Sequence, residues 1–344
     1  MTPIICTFLS FTLSVILCLF MMRFNLSATP TERCSHDAPT PTAGGLSFAL
    51  IFICFLSYQF LIGMCAHSPL LYNYLIAACI LLIVSFYDDC KPLSYRVRLL
   101  TQCVCALLLV MGGGIIESPV IAIRSDSVLF FQKILTIFTL LSLINAANFI
   151  DGLNGLLGIC IMITLAFAGF WIDFYQPILI MHWVLIAAVF GFLIFNFPKG
   201  RIFMGDTGST FLGLTLGFFS LIAQGNYPLS NNLETAIFNK GFIFTLLPMS
   251  FLWFDVAFTL CRRIIRGEHL AEAHRDHMIH ILFDKGYKHV FVTLLYAFGT
   301  TLMGYLTYQC HSEHISFIEL LGIYAFLQTL FVLFVFNAPS RQTQ

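Results

Sequence analysis

Long apolar runs separated by short polar segments dominate the amino-acid sequence. About eleven of these runs approach the roughly 20 residues that a helix needs to cross the hydrocarbon core of a bilayer. The runs cover residues 3–22, 43–63, 69–87, 99–116, 128–147, 155–173, 178–197, 209–224, 238–260, 290–309 and 316–337. Backbone groups in lipid must be hydrogen-bonded within the segment, so helices are the natural spanning element. The pattern predicts an all-α, polytopic integral membrane protein with a single transmembrane domain over residues 1–344.

Composition supports this class and charge adds an orientation. Of the 344 residues, 59% are hydrophobic and 10% charged, whereas about 25% are charged in an ordinary soluble domain. Lys and Arg residues concentrate in the loops that follow the odd-numbered runs and in the C-terminal tail, while the opposite loops contain only Arg124. Basic loops stay in the cytoplasm. We therefore expect the N-terminus outside and the C-terminus in the cytoplasm.

The predicted cytoplasmic loops contain five patches of polar residues. The first two patches lie at the start of the second apolar run and at the end of the third. Gly44 and Gly45 follow a Pro-rich turn, where bare backbone can approach a ligand or another helix, although a simple helix-entry turn explains them too. Asp88 and Asp89, followed by Lys91, end the third run. Carboxylates at a membrane helix end are costly unless they bind something positive. Neighbouring helical positions diverge by about 100°, which favours one carboxylate near a metal and the other near a substrate, unless both are simply solvated.

The third patch joins the fifth and sixth runs and is rich in amides. Asn148, Asp151 and Gly155 would share one face of a helix, but Gly152 and Gly155 favour a break between the two runs. Amides, a carboxylate and bare backbone suit a nucleotide or a sugar. Hydrogen bonding between helices is the alternative.

The fourth patch, Gly205-Asp206-Thr207-Gly208-Ser209, leads directly into an apolar run. Backbone N–H groups at a helix N-terminus bind anions. Asp206 would repel a phosphate unless a cation lies between them, so the patch predicts a bridging Mg²⁺. A helix capped by Thr207 or Ser209 is the alternative.

The fifth patch, between the ninth and tenth runs, contains Arg275, His277 and His280. Arg and His side chains facing carboxylates and a metal suit a diphosphate. The H-E-x-x-H pattern of zinc proteases is absent from the sequence. Solvated basic residues beside a membrane are the alternative.

Taken in order, these patches resemble the polyprenyl-phosphate N-acetylhexosamine-1-phosphate transferases of glycosyltransferase family 4. The matching residues are Pro39-Thr40-Pro41 before the Gly pair, Asp88-Asp89, Asn148 to Gly152, Asn196 to Ser209, and Arg275 to His280. The resemblance covers roughly residues 30 to 290. It is closer to the enzymes that begin O-antigen and common-antigen lipids than to phospho-N-acetylmuramoyl-pentapeptide translocase of peptidoglycan synthesis.

The resemblance implies the reaction of a UDP-N-acetylhexosamine with polyprenyl (undecaprenyl) phosphate at the cytoplasmic face of a bacterial inner membrane. The products are polyprenyl-diphospho-sugar and UMP, Mg²⁺ is the cofactor and Mn²⁺ a candidate substitute. It also implies roles for the matching residues. Asp206 and Asp151 would bind metal, Asp88, Asp89 and Asp151 would be catalytic, Lys91, Gly44 and Gly45 would support the lipid phosphate, and the nucleotide or diphosphate would contact Asn148, Asn196, Gly205, Thr207, Gly208, Ser209, Arg275, His277 and His280. No nucleic acid partner is expected, and a homodimer stays open.

Two positions depart from the family pattern. Asn154 stands where the family usually has Asp, so no catalytic carboxylate can be assigned there. Ile279 stands where the family often has another His. A multi-pass secondary transporter is the rival from another class, but it would place ionisable groups near the midplane of repeated halves. Within the family, a peptidoglycan lipid I synthase is the alternative.

Overall fold

The computed structural model describes residues 3–24, 27–28, 40–65, 68–116, 125–171, 176–224, 240–268 and 275–340. Its helices, in chain order, are α1 (Pro3–Phe24), α2 (Gly44–Leu61), α3 (Pro69–Cys90), α4 (Tyr95–Met111), α5 (Asp126–Ile150), α6 (Leu156–Trp171), α7 (Gln176–Asn196), α8 (Gly205–Ala223), α9 (Lys240–Leu246), α10 (Ser250–Ile265), α11 (Met278–Asp284), α12 (His289–His311) and α13 (Phe317–Asn337). A 3-10 turn, Leu247–Met249, joins α9 to α10.

Each apolar run predicted from the sequence corresponds to a helix or, for 238–260, to α9 and α10 with the turn between them. Among the described residues, eight helical segments are long and apolar enough to cross a membrane: α1, α2, α3, α5, α7, α9 with α10, α12 and α13. The other three runs form the shorter or less apolar helices α4, α6 and α8. The all-helical, polytopic membrane architecture is thus confirmed, while the number of crossings and their direction stay predictions.

Helix α8 lies at the centre of the bundle, and this position explains its composition. It packs against α2, α3, α5 and α9, and nearly all of its side chains are buried. Gly213 lies so close to α5 that a Cβ there would sit 2.7 Å from the Leu143 carbonyl oxygen. Small residues allow membrane helices to approach at backbone distance. This central packing brings the N-terminal end of α8, with Asp206, among the ends of the surrounding helices.

A short antiparallel strand pair, β1 (Ser27–Ala28) with β2 (Thr40–Pro41), is an element that the apolar pattern did not predict. It is followed by backbone contacts that continue into the site. Pro41 accepts a hydrogen bond from Phe203 N (2.8 Å), and Gly44 N and Gly45 N donate to the carbonyls of Phe203 (2.9 Å) and Met204 (3.1 Å). The entry to α2 is therefore fastened to the segment that precedes α8.

Candidate active site

A cavity of about 550 Å³ lies where α3, α5 and α7 end and α8 begins. Its charged and imidazole side chains come from four of the five patches and from α4: Asp88, Arg98, Asp151, Asp206, Arg275, His277 and His280. Asn148, Asn154, Asn196 and Gly205 also line it. The cavity therefore combines carboxylates with cationic and amide groups in one place.

Asp88 lies in the last turn of α3 and faces the cavity. Its Oδ1 accepts a hydrogen bond from Leu93 N (2.6 Å), and its Oδ2 is 3.4 Å from Arg98 Nη1. The same Arg98 nitrogen is 3.3 Å from Asp206 Oδ2. Arg98 thus bridges two carboxylates that belong to α3 and α8, and its half-exposed side chain remains open to the cavity. In the sequence, Arg98 is one of the basic residues of a predicted cytoplasmic loop, and its position in the site was not predicted.

Asp89 turns away from the cavity and caps α8. Its Oδ1 accepts a hydrogen bond from Asp206 N (2.8 Å), and its Oδ2 accepts from Thr207 N (3.0 Å) and from the Thr207 hydroxyl. Gly205 adopts φ +65°, and a Cβ there would lie 2.5 Å from Asp89 Oδ2. The two adjacent carboxylates therefore have different roles: Asp88 faces the cavity, and Asp89 caps α8.

This cap corrects the expectation that the N-terminus of α8 binds a phosphate. The N–H groups of Asp206 and Thr207 are occupied by a carboxylate of the same chain, and Gly208 N donates to the Met204 carbonyl. Thr207, Gly208 and Ser209 are buried and do not line the cavity. The helix dipole is already compensated by a negative charge, so these three residues build the site rather than contact an anion.

Asp206 is the residue of this patch that does face the cavity. Its side chain is 33% exposed, and its Oδ1 accepts a hydrogen bond from Asn148 Nδ2 (2.8 Å). Asn148, in the last turn of α5, also donates to Ser209 Oγ (3.0 Å). Asn148 thus fixes the Asp206 carboxylate and leaves lone pairs of its oxygens for a further ligand.

Asp151 follows α5 directly. The helix is interrupted at residues 151–155, as Gly152 and Gly155 predicted. Burial is the main cause that raises the pKa of Asp151 well above its ordinary value, and the negative charges of Asp206 and Asp89 raise it further. Three carboxylates so close together are unfavourable unless a proton or a cation neutralises them. This corner of the cavity therefore favours either a retained proton on Asp151 or a cation bound beside it.

Asn154 and Asn196 line the cavity but hold the backbone of two adjoining turns. Asn196 Nδ2 donates to the Ile202 carbonyl (2.8 Å), and its Oδ1 accepts from Gly155 N (2.6 Å). Asn154 Nδ2 donates to the Pro198 carbonyl (3.2 Å). Where the family usually has Asp, Asn154 supplies an amide donor to a carbonyl oxygen that a carboxylate would repel. Asn196 supports the backbone of the same region.

Gly44, Gly45 and Lys91, expected beside the lipid phosphate, lie outside the cavity lining. A Cβ on Gly45 would approach Gly208 N to 2.3 Å, so the Gly pair serves helix packing. Lys91 is exposed at the end of α3, where its N–H donates to the Tyr87 carbonyl. The close backbone approach predicted for the glycines is thus made to α8, and a lipid-phosphate contact of Lys91 stays a prediction.

Arg275, His277 and His280 reach the cavity from the segment that enters α11. His280 lies against the turn after α5, since a Cβ on Gly152 would be 2.9 Å from its Cε1 atom. Arg275 Nη2 is 3.1 Å from Asp284 Oδ1, and its side chain is one-third exposed. The fifth patch therefore faces the carboxylate corner, as a diphosphate-binding group would.

The donor set is compatible with Mg²⁺ held in part by the substrate. Asp151 and Asp206 supply hard carboxylate oxygens, and Mg²⁺ is usually bound through one or two carboxylates together with phosphate oxygens and waters. Within the described ranges, no group of three or more His, Cys, Asp or Glu side chains forms a complete metal cage. The arrangement fits an ion that arrives with a phosphate better than a structural metal.

Comparison with known proteins shows which family the chain resembles. The model of glycosyl transferase family 4 matches residues 71–224. The probable undecaprenyl-phosphate N-acetylglucosaminyl 1-phosphate transferase of Bacillus subtilis is 27% identical over 280 residues, which cover 78% of this chain and 73% of the relative. The decaprenyl-phosphate N-acetylglucosaminephosphotransferase of Mycobacterium tuberculosis (strain H37Rv) is 30% identical over 295 residues, covering 79% and 72%. The phospho-N-acetylmuramoyl-pentapeptide-transferase of Leuconostoc mesenteroides is 29% identical over 242 residues, covering 65% and 68%.

The family model covers the chain from α3 to the end of α8. The matches disfavour the transporter alternative because these relatives are named as transferases. The chain is a multi-pass membrane enzyme that transfers a sugar phosphate, and it belongs to the polyprenyl-phosphate N-acetylglucosamine-1-phosphate transferase family within glycosyl transferase family 4.

Proposed function

We propose that this enzyme transfers N-acetylglucosamine 1-phosphate from UDP-N-acetylglucosamine to a polyprenyl phosphate such as undecaprenyl phosphate, and releases UMP. The names of the relatives support the sugar and the acceptor. The observation that carries the proposal is the single cavity in which the carboxylates of Asp88, Asp151 and Asp206 face cationic and imidazole groups. Two phosphate-bearing substrates and a cation need this combination of charges.

The chemistry requires alignment more than proton removal. An oxygen of the acceptor phosphate forms a bond to the β-phosphorus of the donor, and the bond from that phosphorus to the bridging oxygen breaks. The bridging oxygen and its electron pair leave with UMP. Since a phosphate monoester is already ionised at neutral pH, the barrier arises mainly from charge repulsion and orientation. Groups that fix and neutralise the phosphates are therefore sufficient for the catalytic task.

We assign these tasks to different residues of the cavity lining. Arg98 lies in the first turn of α4, 3.3–3.4 Å from Asp206 and Asp88, and would bind the acceptor phosphate. Its guanidinium has five N–H donors, so groups remain for an anion beside the two carboxylates. Arg275, His277 and His280, which also line the cavity, would bind the donor diphosphate.

Mg²⁺, with Mn²⁺ as a candidate substitute, would be held by Asp151 and Asp206 and would neutralise charge on the donor diphosphate. Asn148 orients Asp206 for this role through its 2.8 Å hydrogen bond. The raised pKa of Asp151 and the neighbouring carboxylates of Asp206 and Asp89 support a cation at this position.

We infer that the cavity opens to the cytoplasm, because it lies at the bundle end that carries the basic loops. The soluble nucleotide sugar is available there, and the product would begin an O-antigen or related envelope polysaccharide. A lipid I synthase is the alternative within the family. It is less well supported, since the pentapeptide-transferase match covers 65% of this chain against 79% for the mycobacterial relative.

The test is UMP release by the purified protein in detergent, with Mg²⁺, polyprenyl phosphate and a panel of UDP-N-acetylhexosamines that includes the UDP-muramoyl pentapeptide. We expect UDP-N-acetylglucosamine to give the highest rate. Preference for the pentapeptide donor would select the lipid I alternative, and no UMP from any donor would refute the proposal.

The Asp206→Asn variant should lose at least about 100-fold in kcat, the loss typical for removal of one strong electrostatic contact to a transition state. Asp126→Asn is the matched control, because Asp126 is an exposed residue in the first turn of α5, at the helix end remote from the cavity. Near-normal activity of Asp206→Asn would contradict the assignment of Asp206 as a metal ligand. The conclusion about the preferred donor would not change.

A further inference from the structure

Helix α10 carries a buried polar face in an otherwise apolar segment. Asp255, Thr259 and Arg263 are spaced by four residues and so lie on one side of the helix. Their exposed fractions are 0%, 0% and 5%. Buried charges are costly unless they are paired and hydrogen-bonded. The role of this polar face therefore follows from the groups that its charged side chains bind.

The carboxylate of Asp255 binds the start of α11. Its Oδ1 accepts a hydrogen bond from Met278 N (2.8 Å), and its Oδ2 accepts from Ile279 N (3.2 Å) and from the Tyr296 hydroxyl (2.6 Å). Oδ1 is also 3.4 Å from His277 Nδ1. One buried carboxylate thus binds the backbone of the two residues that follow His277 and lies beside its imidazole.

Arg263 binds the residue on the other side of His277. Its Nη1 is 2.6 Å from Asp276 Oδ2 and 3.1 Å from Glu268 Oε2. His277 is therefore bracketed, with Arg263 holding the residue before it and Asp255 the residues after it. Neither Asp255 nor Arg263 lines the cavity, whereas His277 does.

We propose that Asp255 and Arg263 are positioning residues that fix His277 at the cavity wall and act on the reaction only through it. The inference rests on the proposed function, in which His277 contacts the donor diphosphate. A chain segment between two helices would otherwise allow the imidazole several placements. Anchoring its neighbours from both sides by charge-assisted hydrogen bonds removes that freedom before the substrate binds.

A double-mutant cycle tests this inference in the UMP assay. Asp255→Asn and His277→Asn should each lower kcat by about 100-fold, the loss expected for a misplacement of roughly 1 Å or for loss of the contact itself. The double variant should be no slower than His277→Asn within about threefold, because residues that act as a unit are not additive. Independent, additive losses would overturn the proposal.

Tyr296→Phe is the matched control, since it removes one donor to the same carboxylate without touching residues 276–279. It should lower the melting temperature and leave kcat unchanged. If it lowers kcat as much as Asp255→Asn, the role of Asp255 is structural support of the bundle and the proposal fails.

Hydrogen exchange gives a readout that does not need activity. A peptide covering residues 275–284 should exchange faster in Asp255→Asn than in the wild type or in Tyr296→Phe, because Asn keeps only one acceptor oxygen and its NH₂ group then faces one of the Met278 and Ile279 amides. Unchanged exchange would overturn the inference about Asp255. Absence of UMP release by the wild type would refute the proposed function, and the exchange experiment would still be decisive in that case. If Asp255→Asn does not fold, Asp276→Asn replaces it, and the same peptide must again exchange faster.

Discussion

The contact between α2 and α8 gives a sharp prediction, because it is made of backbone at a distance that admits no side chain. A Cβ on Gly45 would lie 2.3 Å from Gly208 N, 2.4 Å from Gly208 Cα and 2.4 Å from the Met204 carbonyl oxygen. Carbon atoms in ordinary contact are about 3.5–4.0 Å apart. Gly45→Ala must therefore move the start of α8 by about 1 Å, since backbone cannot rotate away as a side chain can.

The expected magnitude follows from two opposing effects. Ala gains up to about 1 kcal/mol over Gly in a helix, but overpacking a well-filled interior costs about 1–3 kcal/mol. The same shift displaces Asp206, one residue beyond Gly205, and a misplacement of about 1 Å at a reacting site can cost on the order of 100-fold in rate. We expect Gly45→Ala to lose far more activity than stability.

The assay combines a melting temperature in detergent with kcat from UMP release. Gly322→Ala on α13 is the control, because a Cβ built there would meet no atom within 4 Å beyond the adjacent backbone of its own helix. This variant should match the wild type or be slightly more stable. A Gly45→Ala protein with wild-type melting temperature and kcat would refute the reasoning about this contact.

Three further variants test separate parts of the site. Arg98→Gln should raise the KM for polyprenyl phosphate more than the KM for the nucleotide sugar, whereas equal changes would argue against an acceptor contact; initial rates at varied acceptor decide this. In the metal-free protein the raised pKa of Asp151 means that its carboxyl keeps a proton to higher pH, so Mn²⁺ affinity measured by electron paramagnetic resonance should fall as pH is lowered. Asp151→Asn should weaken that pH dependence, and an unchanged slope would contradict the metal role. Asn154→Asp, although it restores the usual family residue, should lower the melting temperature and not raise kcat, because it replaces the donor to the Pro198 carbonyl with a second acceptor, at a cost of about 1–3 kcal/mol.

Much of the fold follows from hydrophobic periodicity and length alone, because a membrane helix must satisfy its own backbone. The helix ends do not follow from it. The run predicted to end at residue 87 continues to Cys90, since Asp89 finds its hydrogen-bond partners on α8, 117 residues away. The run predicted from residue 99 begins at Tyr95, which places Arg98 inside α4.

The site was predictable where chemistry is concentrated in a short motif. Asp88, Asp206 and the Arg275–His280 segment stood out by local composition, and the fold brings them to one cavity. The separate roles of Asp88 and Asp89 were not predictable, because they depend on which of the two carboxylates contacts α8. Sequence reasoning therefore assigned the N–H groups of Thr207 and Gly208 to a phosphate, although Asp89 and a backbone carbonyl accept their hydrogen bonds.

Two residues were missed even though the sequence carried a signal for them. Asp255 lies inside the predicted run 238–260, and an ionisable residue within a membrane segment is by default a candidate for function. Arg98 lies four residues before Gln102 on α4, and both face the cavity. Their partners are distant in sequence, so only the fold could show that one holds the His segment and the other bridges two carboxylates.

The most direct test of the central claim follows the β-phosphorus of the donor. With UDP-N-acetylglucosamine labelled at the β-phosphate, Mg²⁺ and polyprenyl phosphate, transfer of the sugar 1-phosphate puts the label in the lipid product and releases unlabelled UMP. We predict this result for the wild type and its loss in Asp206→Asn. Label that appears in free UDP, with the sugar alone on the lipid, would contradict the account.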